Sequence, residues 1–240
     1  MEVIILKNYQ EVCEKAFEIF KEEIQSKNTV LGLATGSTPV GLYKLLVEDF
    51  KKNHTTYKNV TTFNLDEYVG LPQTHAQSYY TFMFEHLFSH VDIDESNIHI
   101  PNGSVEDVEL EAKNYEETLS NNTIDIQLLG IGRNGHIGFN EPGASFNSVT
   151  SVVGLTQSTI DANARFFEGN PEQVPTKAIS MGIGSILRSK KIVLMATGSS
   201  KSEAIYKTVK GPVTEDVPAS VLQNHPNVVV IVDEAAGSLL

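Results

Sequence analysis

Short apolar runs alternate with helical patterns along most of this chain of 240 residues, and the alternation limits the folds it can adopt. The clearest unit is TVLGLATGSTPVGLYKLLVEDF, in which an apolar run over residues 30–33 precedes a Gly/Ser/Thr turn and a helix beginning at Pro39. Several runs are continuous in Val, Ile and Leu, which is typical of parallel strands covered on both faces. We therefore predict an α/β fold with a mostly parallel sheet and helices on both of its faces.

The hydrophobic pattern also predicts where the elements lie. A helix covers residues 8–27, opened by Asn8 with Glu11 three residues later in a capping-box arrangement. The other predicted elements are strands near 60–65, 124–129, 176–181, 191–195 and 227–232, and helices near 76–89, 106–120, 183–189 and from about 200. No linker or low-complexity tract divides them, so residues 1–240 are expected to form one domain. Ligands are expected where the carboxyl ends of the parallel strands meet.

The stretch from about Gly143 to Pro175 interrupts this alternation. It is rich in Ser, Thr, Asn and Gly and has little periodicity. Because structureless segments of this length are uncommon in compact domains unless they have a function, we predict a lid or long functional loop over about residues 145–175. Arg165 lies within it and could clamp an oxyanion as the lid closes, although a solvent-facing arginine fits the local sequence equally well.

Composition narrows the classes of function. The net charge is −12 and the 18 Lys and Arg residues form no basic stripe, which argues against a nucleic-acid partner. No run approaches the ~20 apolar residues that span a bilayer, and the N-terminus resembles no signal peptide, so a cytoplasmic protein is expected. The single cysteine, Cys13, is predicted to be a small core residue. His86 and His90 share a helix face in HLFSH, which lacks the HExxH zinc pattern, so no metal site is predicted.

The turn after the first apolar run suits a phosphate group. A helix N-terminus presents unpaired N–H groups and the positive end of a dipole, and here it follows a turn made of Thr35, Gly36, Ser37 and Thr38. No Walker A pattern is present, so a lone phosphate on a small molecule fits better than a nucleoside triphosphate. The sequence of Ala34–Ser37 recurs at Ala196–Ser199, which predicts two turns at one ligand unless Gly and Ser simply suit such turns. Lys201 is either a cation for that ligand or an exposed lysine.

The segment IGRNGHIGFNEPG combines glycines with groups capable of proton transfer. Its GxGxxG spacing invites a dinucleotide site, but further Gly and Pro residues interrupt the helix that such a site requires, and no acidic residue follows at the right distance. The glycines instead allow a tight loop around His136, with Asn134 and Glu141 close in sequence. A histidine oriented by a carboxylate is the usual arrangement for a general acid or base, while loop carbonyls around a structural histidine are the alternative.

Two adjacent carboxylates, Asp66 and Glu67, end the predicted strand in TTFNLDEYVGL. At least one of them is expected at the carboxyl edge of the sheet, where active sites form. In a site that excludes water, such a carboxylate can abstract a proton from a carbon next to a carbonyl group. Helix capping or a salt bridge is the alternative role.

Five segments together resemble the glucosamine-6-phosphate deaminase family, in register from about residue 30 to 230: LGLATGSTPVGLY, TTFNLDEYVGL, IGRNGHIGFNEPG, NARFF and VPTKAISMGIGSIL. The resemblance implies a modified doubly wound, Rossmann-like fold. It also implies conversion of glucosamine 6-phosphate and water to fructose 6-phosphate and ammonium, in amino sugar catabolism, without metal or organic cofactor. A 6-phosphogluconolactonase-like hydrolase and a non-catalytic sugar-phosphate sensor are the alternatives.

The resemblance also assigns roles. It makes Asp66 the base that moves a proton between C2 and C1 of the open-chain sugar, His136 the group that opens the pyranose ring, and Glu141 the group that orients His136. The expected phosphate and substrate contacts are Thr35, Gly36, Ser37, Thr38, Arg165 and Lys201.

Two departures from the family pattern carry expectations of their own. The best-studied bacterial members have an aspartate at the position of Asn134, and shorter relatives also carry asparagine, so activity is expected to survive. Those bacterial members bind an activator, N-acetylglucosamine 6-phosphate, through basic residues that are absent from residues 148–154 here, and through a C-terminal extension, whereas this chain stops at Leu240. We therefore expect weak or absent allosteric activation and a monomer or small homo-oligomer.

Overall fold

The computed structural model describes residues 1–26 and 28–240. The strands in this part of the chain are β1 (Glu2–Leu6), β2 (Val30–Leu33), β3 (Thr61–Asn64), β4 (Asp66–Tyr68), β5 (Ile98–His99), β6 (Ile126–Leu129), β7 (Ser151–Gly154), β8 (Lys177–Ser180), β9 (Lys191–Ala196) and β10 (Val228–Asp233). The α-helices are α1 (Tyr9–Ile24), α2 (Val40–Asn53), α3 (Tyr79–His86), α4 (Val108–Ser120), α5 (Gln157–Asn163), α6 (Ile183–Ile186) and α7 (Ser202–Lys210).

Seven of these strands form the main sheet, in the spatial order β1-β10-β9-β6-β2-β3-β5. Every neighbouring pair in this sheet is parallel. All four residues of β6 and the first five of β10 are buried, so both faces of the sheet are covered. The prediction of a mostly parallel, doubly wound α/β fold is confirmed.

The order of the strands places a switch point between β2 and β6. From β2 the chain continues outward to β3 and β5, and it then returns to the other side of β2 as β6. In sheets of this type the crevice at such a switch point is the usual ligand site, because the connections leave the two strands in opposite directions. At this switch point, residues of the turn after β2, such as Ala34 and Thr38, face Leu129 and Gly130 at the end of β6.

A second, three-stranded antiparallel sheet, in the order β4-β8-β7, was not predicted. The predicted strand at 176–181 is present as β8, and it lies in this second sheet and not in the parallel one. The edge strands are only three and four residues long, and β7 lies in a segment without clear hydrophobic alternation, so the sequence carried little signal for this pairing. The sheet joins the DEY segment to the 145–175 segment.

The 145–175 segment has more regular structure than its sequence indicated. It contains β7 and α5, and two 3-10 turns follow at Ala164–Phe166 and Pro171–Gln173. Its apolar side chains pack in a second core that also includes Tyr68 and Phe139. The 145–175 segment therefore packs against the rest of the structure through contacts with aromatic side chains.

Most other elements lie where the pattern placed them, with corrections at their ends. The helix at 8–27 covers Tyr9–Ile24, its end at residue 27 lies outside the described residues, and Asn8 caps it through Glu11 N–H at 3.0 Å. Pro39 is the N-cap of α2 and not its first helical residue. The helix at 76–89 breaks after His86 into a 3-10 turn, and the one at 183–189 ends at Ile186.

Strands β1 and β5 were missed because one begins at the second residue and the other has two residues. Cys13 is buried in the core, as predicted. In the described part of the chain, no helix has the length and apolar character needed to cross a bilayer.

Candidate active site

The turn after β2 offers a row of unpaired backbone donors. The N–H groups of Thr35, Gly36, Ser37 and Thr38 donate to no other group in the described residues. Gly36 has a φ of 97°, and a Cβ built there would meet no atom within 4 Å, so its backbone faces open space. Tyr9 fixes the far side of the turn, because its hydroxyl accepts from Gly41 N–H at 2.8 Å and donates to Thr38 O at 3.1 Å. These donors can hold a phosphate.

The turn after β9 repeats the sequence of the first turn but not its chemistry. Gly198 also has a positive φ, of 87°, yet its N–H donates to both carboxylate oxygens of Asp233 at 3.0 Å. Asp233 therefore takes one donor that the first turn leaves open, and the expectation that both turns meet one ligand stays a prediction. This turn contributes Lys201.

Three cations lie near one another at this edge of the sheet. Lys201 Nζ donates to Ile131 O at 2.6 Å, and burial, followed by the charges of Arg133 and Arg165, lowers its pKa. Arg165 is exposed, with its guanidinium 4.6 Å from the ring centroid of Phe166. None of the three cations forms an ion pair with another described residue. In a chain of net charge −12, this cluster supplies the local attraction that an anionic ligand requires.

Arg133 was not among the predicted site residues. It stands in the middle of the GRNGH motif, and only the path of the loop brings it close to Lys201. A basic residue inside a predicted site loop was the one signal in the sequence that could have indicated it.

The glycines of the loop after β6 allow two close approaches. A Cβ on Gly132 would lie 2.3 Å from Nδ1 and Cε1 of His136, so only glycine lets the imidazole pack against the backbone there. Gly138 has a φ of 56°, and a Cβ on it would lie 3.6 Å from Asp66 Oδ2. The loop thus wraps around His136 and reaches Asp66, two residues that are 70 positions apart.

His136, Glu141 and Asn134 come together as the sequence predicted. His136 Nδ1 lies 3.4 Å from Glu141 Oε2, and no other polar group in the described residues contacts this nitrogen. Asn134 Nδ2 donates to the same carboxylate oxygen at 2.7 Å, and its Oδ1 accepts from His136 N–H at 3.2 Å. The carboxylate orients the imidazole from one side, and the second ring nitrogen remains for a substrate.

The other oxygen of Glu141 is held by the 145–175 segment. Oε1 accepts from Thr156 Oγ1 at 3.1 Å and from Thr159 Oγ1. Burial raises the pKa of Glu141, but the nearby His136 and the hydrogen bonds from Thr159 and Asn134 outweigh burial and lower it to about 2. Glu141 is therefore ionised throughout the physiological range. The two threonines were not predicted, because nothing in their polar surroundings sets them apart.

Asp66 has the opposite surroundings. Its side chain is buried, and its carboxylate accepts no hydrogen bond from any described residue. Burial, with a smaller contribution from the neighbouring charge of Glu67, raises its pKa to about 8. A buried carboxylate without hydrogen bonds is a strong base once it is ionised, so Asp66 suits proton abstraction.

Glu67 fills the structural role that was the alternative for this pair. Its carboxylate accepts from the N–H groups of Tyr68, Tyr79 and Tyr80 at 2.8–3.0 Å, two of which lie in the first turn of α3. Glu67 therefore caps a helix, and Asp66 is the carboxylate left for chemistry.

The fold and the site are those of a class of α/β enzymes: the free turn N–H groups and nearby cations can hold a phosphorylated molecule, and the buried carboxylate and the histidine beside a second carboxylate are suited to proton transfer. In residues 1–26 and 28–240, no cluster of three or more His, Cys, Asp or Glu residues could hold a metal ion.

Comparison with known proteins gives the family. Residues 7–231 match the model of the glucosamine-6-phosphate isomerases/6-phosphogluconolactonase family, and the chain belongs to this family. It is 55% identical, over its whole length and 95% of the relative, to glucosamine-6-phosphate deaminase of Thermoanaerobacter pseudethanolicus. It is 54% identical to glucosamine-6-phosphate deaminase 2 of Bacillus subtilis, over all of this chain and 98% of the relative.

Solved structures agree with this placement. The structure of a monomeric glucosamine-6-phosphate deaminase superposes with a TM-score of 0.97 at 46% identity, over the full length of both chains. A 6-phosphogluconolactonase from Trypanosoma brucei superposes with a TM-score of 0.81, but at 17% identity over all of this chain and 98% of that one, so it shares the fold alone.

Proposed function

We propose that this protein is a glucosamine-6-phosphate deaminase, which converts glucosamine 6-phosphate and water to fructose 6-phosphate and ammonium. The observation that carries the proposal is the buried, unbonded carboxylate of Asp66 beside the histidine loop. Isomerisation between C2 and C1 requires such a base, whereas hydrolysis of a lactone does not. The full-length relatives at 54–55% identity that carry the deaminase name support the same choice.

The phosphate group is bound at the turn after β2. Its oxygens accept from the N–H groups of residues 35–38, and Lys201, Arg165 and Arg133 balance its charge. Arg165 lies in the 145–175 segment, which acts as a lid that brings the guanidinium to the bound phosphate. Phosphate binding thus fixes the sugar with its reacting end toward Asp66 and His136.

His136 opens the pyranose ring. It takes the proton of the anomeric hydroxyl and returns a proton to the ring oxygen, which yields the open-chain aldehyde with no net change in protons. Glu141 keeps the ring in place and stabilises the imidazolium that exists between the two transfers.

Asp66 moves the proton that defines the reaction. The ammonium group at C2 of the substrate lies next to the proton to be removed, and its charge favours the ionised carboxylate, so substrate binding lowers the pKa of Asp66 from about 8. Asp66 then removes the C2 proton to give an enol-amine and delivers a proton to C1. The product of this step is an imine at C2, which water hydrolyses to the ketone and ammonium.

The rest of the proposal concerns the state of the protein. We propose a single domain that acts as a monomer, as the name of the solved relative describes for that protein, in the cytoplasm. Its partner is an amino sugar phosphate alone.

The deciding experiment measures fructose 6-phosphate and ammonium released from glucosamine 6-phosphate by the purified protein. Release of both in equal amounts is expected. Saturable binding without release would indicate a sugar-phosphate sensor, and hydrolysis of 6-phosphogluconolactone in place of deamination would indicate the lactonase; either result overturns the proposal.

A further inference from the structure

The two oxygens of Glu141 face different parts of the structure. Oε2 faces Asn134 and His136 in the loop after β6, whereas Oε1 accepts the hydroxyl groups of Thr156 and Thr159 at the start of α5. We propose that Thr159 is a positioning residue for ring opening: its hydroxyl fixes the Glu141 carboxylate and thereby the His136 imidazole. The kinetic part of this inference rests on the proposed function.

The geometry of a carboxylate explains how one hydroxyl can act at a distance. The two oxygens are rigidly joined, so a hydrogen bond to Oε1 also fixes the direction of Oε2. Thr159 is 5% exposed, whereas Thr156 is exposed, so the Thr159 bond is the one shielded from competing water. Without it, Glu141 keeps only the exposed Thr156 bond on Oε1 and the Asn134 bond on Oε2, so its last torsion is held less firmly and Oε2 leaves His136 Nδ1 more often.

Helix α5 also connects the histidine pair to the phosphate contacts. At its carboxyl end, Asn163 Nδ2 donates to Tyr68 Oη at 2.9 Å, and Ile160 and Ala164 pack in the second core. Arg165 follows directly after the helix. Helix α5 therefore carries Thr159 in its first turn and is followed by Arg165, the proposed phosphate contact. When α5 packs against the bound substrate, it also holds the Thr159 hydroxyl against Glu141.

Thr159 can be tested separately from the stability of the helix. Thr156 is the N-cap of α5, and its hydroxyl accepts from Thr159 N–H at 3.4 Å, so its removal would weaken the helix itself. The Thr159 hydroxyl donates to Glu141 and caps nothing. Thr159→Val keeps the side-chain shape and removes the donor, while Thr159→Ser keeps the donor.

The test compares two substrates. One is glucosamine 6-phosphate; the other is its analogue without the 4- and 5-hydroxyl groups, which can close to neither a furanose nor a pyranose. We expect Thr159→Val to lower kcat/KM about tenfold for glucosamine 6-phosphate and less than twofold for the analogue. Thr159→Ser should restore the rate. The control is Ser158→Ala, because that hydroxyl contacts Thr156 and not Glu141; it should leave both rates unchanged.

A second readout needs no turnover. In ¹⁵N NMR spectra of the free protein, at a pH where the ring is neutral, His136 should show one tautomer with the proton on Nδ1 in the wild type and in Thr159→Ser, and a mixture in Thr159→Val. If Thr159→Val slows both substrates equally and leaves the tautomer unchanged, Thr159 is a structural residue and the inference is wrong. If the wild type turns over neither substrate, the proposed function fails, and the NMR result alone decides the role of Thr159.

Discussion

Asp66 and Glu141 are carboxylates of the same site, and their surroundings drive their pKa values in opposite directions. Asp66 is buried without a hydrogen bond from the described residues, and its pKa rises to about 8. Glu141 accepts from two threonines and an asparagine and faces a histidine, and its pKa falls to about 2. The number of hydrogen-bond donors around each carboxylate therefore sets its pKa, more than whether it is an aspartate or a glutamate. Asp66, without donors, is suited to act as a base, whereas Glu141, with donors, keeps a fixed negative charge.

The largest effect is expected from the unbonded carboxylate. Asp66→Asn should lower kcat at least ~10³-fold, because the amide cannot accept the C2 proton. Binding of fructose 6-phosphate, measured by calorimetry, should change less than threefold, since the phosphate contacts lie elsewhere. Turnover close to that of the wild type would remove Asp66 from the mechanism.

The bonded pair should show a smaller and more selective effect. His136→Gln is expected to slow the reaction of glucosamine 6-phosphate ~10²-fold, because ring opening loses its proton carrier. The analogue without the 4- and 5-hydroxyl groups, which needs no ring opening, should react at nearly the wild-type rate. Equal slowing of both substrates in steady-state assays would contradict the separation of roles between His136 and Asp66.

The difference between the two carboxylates could be predicted only in part from the sequence. Asp66 and His136 follow apolar strands of a parallel sheet, and strand ends of this kind meet at one edge, so the pattern brought them together correctly. The donors around Glu141 could not be predicted, because Thr156 and Thr159 reach it only through the second sheet and the path of the 145–175 segment. The local hydrophobic pattern of a sequence specifies its strands and helices, whereas contacts between loops depend on tertiary packing.

The repeated turn teaches the same lesson. Ala34–Ser37 and Ala196–Ser199 are identical in sequence, yet Gly36 N–H has no partner among the described residues, whereas Gly198 N–H donates to Asp233. Asp233 stands at the end of β10, next to β9 in the sheet but 35 residues away along the chain. Local sequence therefore predicted a turn at both places but could not predict that a side chain from the neighbouring strand takes the Gly198 N–H.

Stability should depend on pH in opposite ways for the two carboxylates. The pKa of Asp66 is higher in the folded chain than the ~3.9 of an unfolded aspartate, so its burial costs more stability as the pH rises from about 4 to 8. Asp66→Asn should thus raise the free energy of unfolding by ~1–3 kcal/mol at pH 8, and by little at pH 4. Urea titrations at both pH values measure this.

Glu141→Gln is the matched comparison. The pKa of Glu141 is lowered on folding, so its stabilisation is present above about pH 4.3 and is lost as the pH falls toward 2. The variant should be less stable than the wild type by ~1–2 kcal/mol at pH 5–8, with the gap closing in acid. A loss of stability in Asp66→Asn at pH 8, or a gain in Glu141→Gln, would reverse the assignment of the two environments.

The smallest effect concerns activation by an acetylated sugar phosphate. Glu141 already accepts hydrogen bonds from both threonine hydroxyls in the free protein, so an activator cannot act by forming these bonds. Within residues 148–154, Thr150 donates through both its N–H and its hydroxyl to Glu116, so neither donor is open to an anionic effector. N-acetylglucosamine 6-phosphate should therefore change kcat/KM less than twofold, and the rate should depend hyperbolically on substrate. A sigmoidal curve that becomes hyperbolic with this compound would show that the Glu141 contacts form only in an activated state.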